Sequence, residues 1–175
     1  MPQCIFCEII SQRRAASVVV ARARLLAFMD IFPLRPGHLL IVPRQHAQRV
    51  AELDPELRGE LWELGVALGS ALRRSSLPCR DVHLLINDGS AANQSVPHVH
   101  LHVIPRSGGD LRGLIGRAAA IPLGPLRRTA RRERLDAQAA EIGAALEEEV
   151  AGGGGGSASE LDAATAPPGP AGEAG

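Results

Sequence analysis

Three histidines, His98, His100 and His102, alternate with Val99, Leu101 and Val103. Successive side chains of a strand point to opposite faces, so this spacing predicts a strand over 98–104 with the imidazoles on one face and apolar residues on the other. Imidazole titrates near neutral pH; neutral it is a nucleophile, and protonated it donates hydrogen bonds to phosphate oxygens. A row of three can divide those roles. One attacks, a neighbour stabilises developing phosphate charge, and a backbone carbonyl fixes the attacking tautomer, which is the positioning and electrostatics that phosphoryl transfer requires. The spacing alone does not say which histidine attacks.

A second set of reactive residues lies at the start of the chain, where Cys4 and Cys7 stand at CxxC spacing. The pair reads as metal ligands, a redox couple or buried free thiols; a redox CxxC opens a helix after a strand, and only three residues precede Cys4. Cys79, far from the pair, reads as an ordinary free thiol. The first residues lack the pattern of a signal peptide, and no apolar run reaches the roughly 18 residues of a membrane span, so a cytoplasmic protein without a membrane partner is expected. Acidic and basic residues balance at 19 each. That balance leaves no global field to recruit nucleic acid, and anion binding must be local.

Elements able to position these residues occupy 1–126. A short helix is expected at Ile5–Ile10, followed by strands at Val18–Ala21, Leu25–Met29 and 38–42, with Asp30, Pro33, Pro36 and Gly37 as punctuation. Leu57, Leu61, Leu64, Leu68 and Leu72 recur at helical spacing after Asp54-Pro55, an N-cap and first-turn pair, and predict one long amphipathic helix. Its apolar stripe could pack on its own sheet or form a homodimer interface. A strand at 82–87, the polar loop 88–97 and the histidine strand complete an α+β domain on an antiparallel sheet of about five strands. A further helix is expected at 127–150, with Arg127, Arg128, Arg131, Arg132 and Arg134 on a solvated face and Glu147–149 fraying its end. Gly, Ala, Pro and Ser dominate 151–175, which is expected to be a disordered tail.

His98-Val99-His100-Leu101-His102-Val103-Ile104-Pro105 resembles, in full, the signature of the histidine triad (HIT) family. The resemblance extends through Cys4–Ile10, Leu26-Ala27-Phe28-Met29-Asp30, Pro36-Gly37-His38, Ile41-Val42-Pro43, His46, Asn87-Asp88-Gly89 and Asn93-Gln94-Ser95-Val96, over roughly residues 4–110, and is strongest to the Hint-like bacterial branch. It departs beyond Pro105, over 106–126, and at Pro97, which removes a ladder donor and favours a strand-start or edge position.

What the resemblance implies is a HIT fold and a homodimer that hydrolyses a purine nucleotide conjugate, a nucleoside phosphoramidate or dinucleoside polyphosphate, through a nucleotidyl-histidine on His100. It further implies that His102 and Asn87 contact the α-phosphate, that Ser95 and Gln94 face the leaving group, and that His38 supports the triad. Asp30 matches a ribose-binding acid, with Ile31 and Phe28 near the base. Two thiolates and two imidazoles suit a tetrahedral structural zinc, and Cys4, Cys7, His46 and His98 match such ligands in relatives. No catalytic metal or organic cofactor is expected. The alternatives are a nucleotidyltransferase or phosphorylase, in which an acceptor other than water resolves the intermediate, and a non-catalytic nucleotide-binding partner protein.

Overall fold

The structure is a computed structural model that describes residues 4–108 and 125–152, with side chains over 131–148 in the second stretch. Of the expected tail 151–175, residues 153–175 lie outside the described residues, as do the segment 109–124 and the side chains of Arg127 and Arg128. In chain order the elements are α1 (Ile5–Ile10), β1 (Val18–Ala21), β2 (Leu25–Met29), β3 (Leu39–Pro43), α2 (Pro55–Arg74), β4 (Asp81–Ile86), β5 (Leu101–Arg106) and α3 (Pro125–Gly152). The five strands form one antiparallel sheet in the order β1-β2-β3-β5-β4.

Both central strands are apolar throughout because both faces of the sheet are covered. Leu25, Ala27, Met29, Leu39 and Ile41 join the main core under α2, while Leu26, Phe28, Leu40 and Val42 meet Cys4 and Phe6 of the α1 segment. Pairing of Leu40 with His102 and of Ile41 with Leu101 carries this alternation into β5. Leu101 and Val103 therefore face α2, and His102 faces the α1 side.

Helix α2 begins where expected: Asp54 caps it, accepting a hydrogen bond from Leu57 N at 2.7 Å, and Pro55 occupies the first turn. All five leucines of its stripe are buried against the chain's own sheet, leaving Trp62 and Val66 as the large apolar residues on its open side. Helix and sheet approach closely at Gly65, where an added Cβ would lie 2.6 Å from Leu101 Cδ2. Strand β4 is an edge, and its Leu85 is exposed.

Helix α3 differs most from expectation. It runs through the acidic residues to Gly152, and Leu135, Ala139, Ile142, Ala145 and Leu146 enter the main core with α2 and β1. The face expected to be solvated is partly used for docking. Arg132 donates to Ser17 Oγ at 3.2 Å and to Ala15 O at 3.0 Å, and the Arg131 guanidinium sits 5.3 Å from the Phe32 ring centroid. An arginine spending its N–H groups on main-chain acceptors has no periodic signature, so the sequence pattern alone places these residues on the surface. Truncation in the middle of this contact should show that α3 belongs to the cooperative unit. Ile142, fully buried, is expected to cost about 2–5 kcal/mol when replaced by alanine; a loss under about 0.5 kcal/mol in chemical denaturation would show the helix undocked in solution.

Candidate functional site

The histidine strand starts later than its spacing suggests. Strand β5 begins at Leu101, and His98 to His100 form a lead-in held by His98 N to Val96 O at 2.8 Å and Val99 N to Ala47 O at 2.8 Å. The N–H groups of His98 and Val99 are spent on those local acceptors, so pairing with β3 and β4 begins only at Leu101. The lead-in is nonetheless extended enough to bury His98 and His100 on the α1 side, where the Phe6 ring meets His98 at 5.8 Å and His100 at 5.2 Å, both edge-on.

The hydrogen bonds fix the tautomers. His100 Nδ1 lies 2.7 Å from His98 O, an acceptor, so Nδ1 carries the proton and Nε2 keeps its lone pair. His38 Nδ1 accepts from Leu34 N at 3.2 Å, which leaves the proton on Nε2 to be donated to His102 Nδ1 at 3.1 Å. His102 is thereby protonated on Nε2, a buried donor without a partner among the described residues. A second contact on His38, Asp30 Oδ2 at 3.4 Å from Nδ1, is longer than an N–H to oxygen hydrogen bond and does not displace the Leu34 donor. Asp30 is oriented by its other oxygen, which accepts from Phe32 N at 2.7 Å in a local turn. The site thus holds a bare ring nitrogen on His100 and an unsatisfied N–H on His102, with the two rings 4.8 Å apart.

Burial keeps these rings neutral. It is the first cause pushing His100 down, and with the neighbouring His100 and His38 it takes His102 down to about 4. His38 is also lowered, by burial first, against the raising effect of Asp30. Unfolded imidazoles take up protons near pH 6.5, whereas the folded ones wait for lower pH, so the unfolded state binds more protons in between. The stability from neutral His38 and His102 is complete above ~6.5 and is lost as pH falls toward 4. Urea midpoints at several pH values should fall across that window for wild type and fall less for His102→Asn. Equal slopes would contradict the assignment.

The polar loop after β4 contributes unevenly. Asn87 and Ser95 have no hydrogen-bond partner among the described residues, and Ser95 is exposed. Gln94, expected to face a leaving group, spends its amide on the backbone: Oε1 accepts from Gly89 N at 2.8 Å and Nε2 donates to Gln48 O at 2.9 Å. It is a clasp between loop 87–97 and the chain after β3. Arg49, which the sequence did not single out, reinforces it by donating to Asp88 O at 2.9 Å. Gly89 is required there, since φ is +112°, a left-handed conformation that side-chain-bearing residues rarely adopt. Phe28 is buried against Phe6 at 5.6 Å between centroids, while Ile31 is exposed at the rim.

A separate cluster gathers Cys4, Cys7, His46 and His98, with one candidate ligand atom from each within 4.8 Å of the others. His98 Nδ1 lies 3.4 Å from Cys4 Sγ, 3.6 Å from Cys7 Sγ and 3.3 Å from His46 Nδ1, and Cys7 Sγ lies 3.4 Å from His46 Nδ1. Bond lengths of ~2.3 Å to sulfur and ~2.0 Å to nitrogen at tetrahedral angles place ligand atoms roughly 3.3–3.8 Å apart, so the four fit a closed tetrahedral metal site. The ring chemistry agrees: His98 Nε2 donates to Pro43 O at 2.9 Å, leaving Nδ1 unprotonated toward the thiols, with the backbone in the orienting role usual for metal-bound imidazoles. Burial, then the adjacent Cys4, pushes the Cys7 thiol up, and a cation between them is what would let both ionise. A second set, Asp30, His38 and His102, is also compact enough for a metal ion, but its members are the tautomer relay just described.

Residues 12–109 match the HIT domain family, and the triad lies within that span. The chain belongs to the HIT family. A HIT-like protein of Mycobacterium tuberculosis is 37% identical over 107 residues, covering 61% of this chain and 74% of the relative. An adenosine 5'-monophosphoramidase of Schizosaccharomyces pombe is 34% identical over 103 residues, 59% of this chain and 74% of that enzyme. Among solved structures, a zinc-bound histidine triad protein from Mycobacterium smegmatis superposes with a TM-score of 0.66 at 31% identity, covering 86% of this chain and 97% of the other. The five-stranded sheet with its helices is the HIT fold. Among the described residues, no helix of this HIT protein is long and apolar enough to cross a membrane.

Proposed function

We propose that the chain is a nucleotidyl hydrolase of the Hint-like bacterial branch that releases a nucleoside monophosphate from a purine nucleoside phosphoramidate or dinucleoside polyphosphate. The observation that carries this reading is the opposed protonation of His100 and His102: an unprotonated nucleophile beside a buried N–H with no acceptor. A phosphate oxygen is the acceptor that the His102 N–H lacks, and the same placement brings phosphorus to His100 Nε2.

In this mechanism Nε2 of His100 attacks the α-phosphorus, and the bond from phosphorus to the leaving nitrogen or oxygen breaks with its electron pair going to the leaving group. The proton stays on Nδ1, donated in a hydrogen bond to His98 O, which stabilises the imidazolium character of the adduct. Water then attacks the same phosphorus, restoring His100 and freeing the monophosphate. His38 holds the His102 tautomer, and Asn87 adds a donor to the α-phosphate. Ser95 faces the leaving group, with Gln94 holding the loop that presents it. Asp30 takes the ribose hydroxyls through Oδ2, with Ile31 over the base and Phe28 beneath it as buried support.

The resemblance to a monophosphoramidase and to a zinc-bound family member supports both the substrate class and zinc at Cys4, Cys7, His46 and His98. Zinc when bound ties the α1 segment to the His98 lead-in. Exposed Trp62 and Val66 on α2, and exposed Leu85 on the edge strand β4, support a homodimer.

The test is to supply adenosine phosphoramidate and diadenosine triphosphate separately and follow AMP. Release from either in water alone supports hydrolysis. Turnover that appears only after phosphate or a sugar phosphate is added would replace this reading with a transferase or phosphorylase. Binding of nucleotide without turnover under both conditions would make the chain a binding protein.

A further inference from the structure

A concavity of about 110 Å³ lies between the loop 33–36 and one face of α3. Helix α3 presents Arg131, Arg134 and Gln138 to it at i, i+3 and i+7, which is one side of a helix. Arg35 adds a third guanidinium from the loop, and no carboxylate is among the lining residues. Among the described residues no acid pairs with Arg131 or Arg134; Arg131 is held over the Phe32 ring instead. Gln138 is fixed by accepting from Gly37 N at 3.3 Å, which leaves its amide N–H groups as donors. Leu135 at the back of this face is buried, so the helix cannot turn these residues elsewhere without losing core contact.

We infer that this pocket binds a phosphate-bearing anion, at a site built by α3 and separate from the triad. Guanidinium groups offer planar paired donors that match phosphate oxygens, and Arg131 and Arg134 on one helix face supply both charge and directionality to the concavity. The α3 side of the site, residues 131–138, lies outside the 12–109 span that matches the family. Its loop is the one whose Leu34 N–H sets the His38 tautomer, so an anion bound there would pin α3 against the support of the triad.

Inorganic pyrophosphate is the probe, titrated into the full chain while the amide resonances of residues 131–138 are followed by NMR. Saturable shifts are expected in wild type. Arg134→Gln, at an exposed position that leaves the fold intact, should weaken binding read at those amides by about tenfold or more, since a charge-assisted phosphate contact is lost. His102→Asn, which removes the free N–H of the triad, should leave it within about twofold. Because His102→Asn is tested in parallel, failure of the triad chemistry and failure of this pocket read out separately. The inference is overturned if no shifts arise at 131–138 at millimolar pyrophosphate, if Arg134→Gln binds like wild type, or if His102→Asn abolishes the shifts.

Discussion

His100→Gly is expected to reduce AMP release by about four orders of magnitude or more while nucleotide affinity changes little, because a nucleophile that forms a covalent intermediate cannot be replaced by binding energy alone. Glycine also leaves the strand lead-in undisturbed, since the bonds from His98 N and Val99 N are main-chain bonds. Mass spectrometry after brief mixing with adenosine phosphoramidate should show an adenylyl adduct on wild type and none on the variant. The neutral His100 tautomer makes a further demand. Because burial holds its pKa below the ordinary value, the ring is already unprotonated at neutral pH and needs no separate base. Turnover persisting in His100→Gly within about tenfold of wild type would reject the nucleophile outright.

The second large effect is on stability. Cys4→Ala is expected to release the metal and lower the thermal midpoint by roughly 10 °C, the shift that about 4 kcal/mol produces in a domain of this size. Cys4 is buried in the smaller core with Phe6, Phe28 and Val42, so loss of the tie loosens the cover over His98 and His100 as well. Elemental analysis of purified wild type should find one zinc per chain, and a chelator should reproduce the midpoint shift in wild type but not in the variant. A chain without zinc whose midpoint ignores both changes would refute the metal assignment and leave Cys4 and Cys7 as buried thiols.

Most elements were legible because local chemistry and burial agree. The Asp54-Pro55 start and the leucine spacing predict α2, and capping and packing both deliver it. The apolar runs of β2 and β3 are strands because the sheet is covered on both faces. The triad was legible as alternation, yet β5 starts at Leu101 because the N–H groups of His98 and Val99 go to Val96 O and Ala47 O, not to a ladder. What was not legible is long-range and polar. The relay from Leu34 N through His38 to His102 joins residues up to 68 positions apart through ring nitrogens, and no spacing rule encodes it. Gln94 sits in a motif that draws attention to its side chain, but only folding shows both ends of the amide engaged by Gly89 and Gln48. The arginines of α3 failed for a related reason: their composition signals solvent, and their partners are carbonyls and a ring far away in the chain.

His98 does two things with two different parts of itself. Its ring faces the thiols, while its carbonyl oxygen holds the proton of His100. Every amino acid carries that oxygen, so no substitution at 98 can delete the acceptor. A lineage could therefore trade the imidazole away, losing the cysteine cluster with it, and still inherit a His100 ring whose tautomer is correctly set two residues on. The two halves of the motif are separable heirlooms, one written in side chains and the other in the main chain.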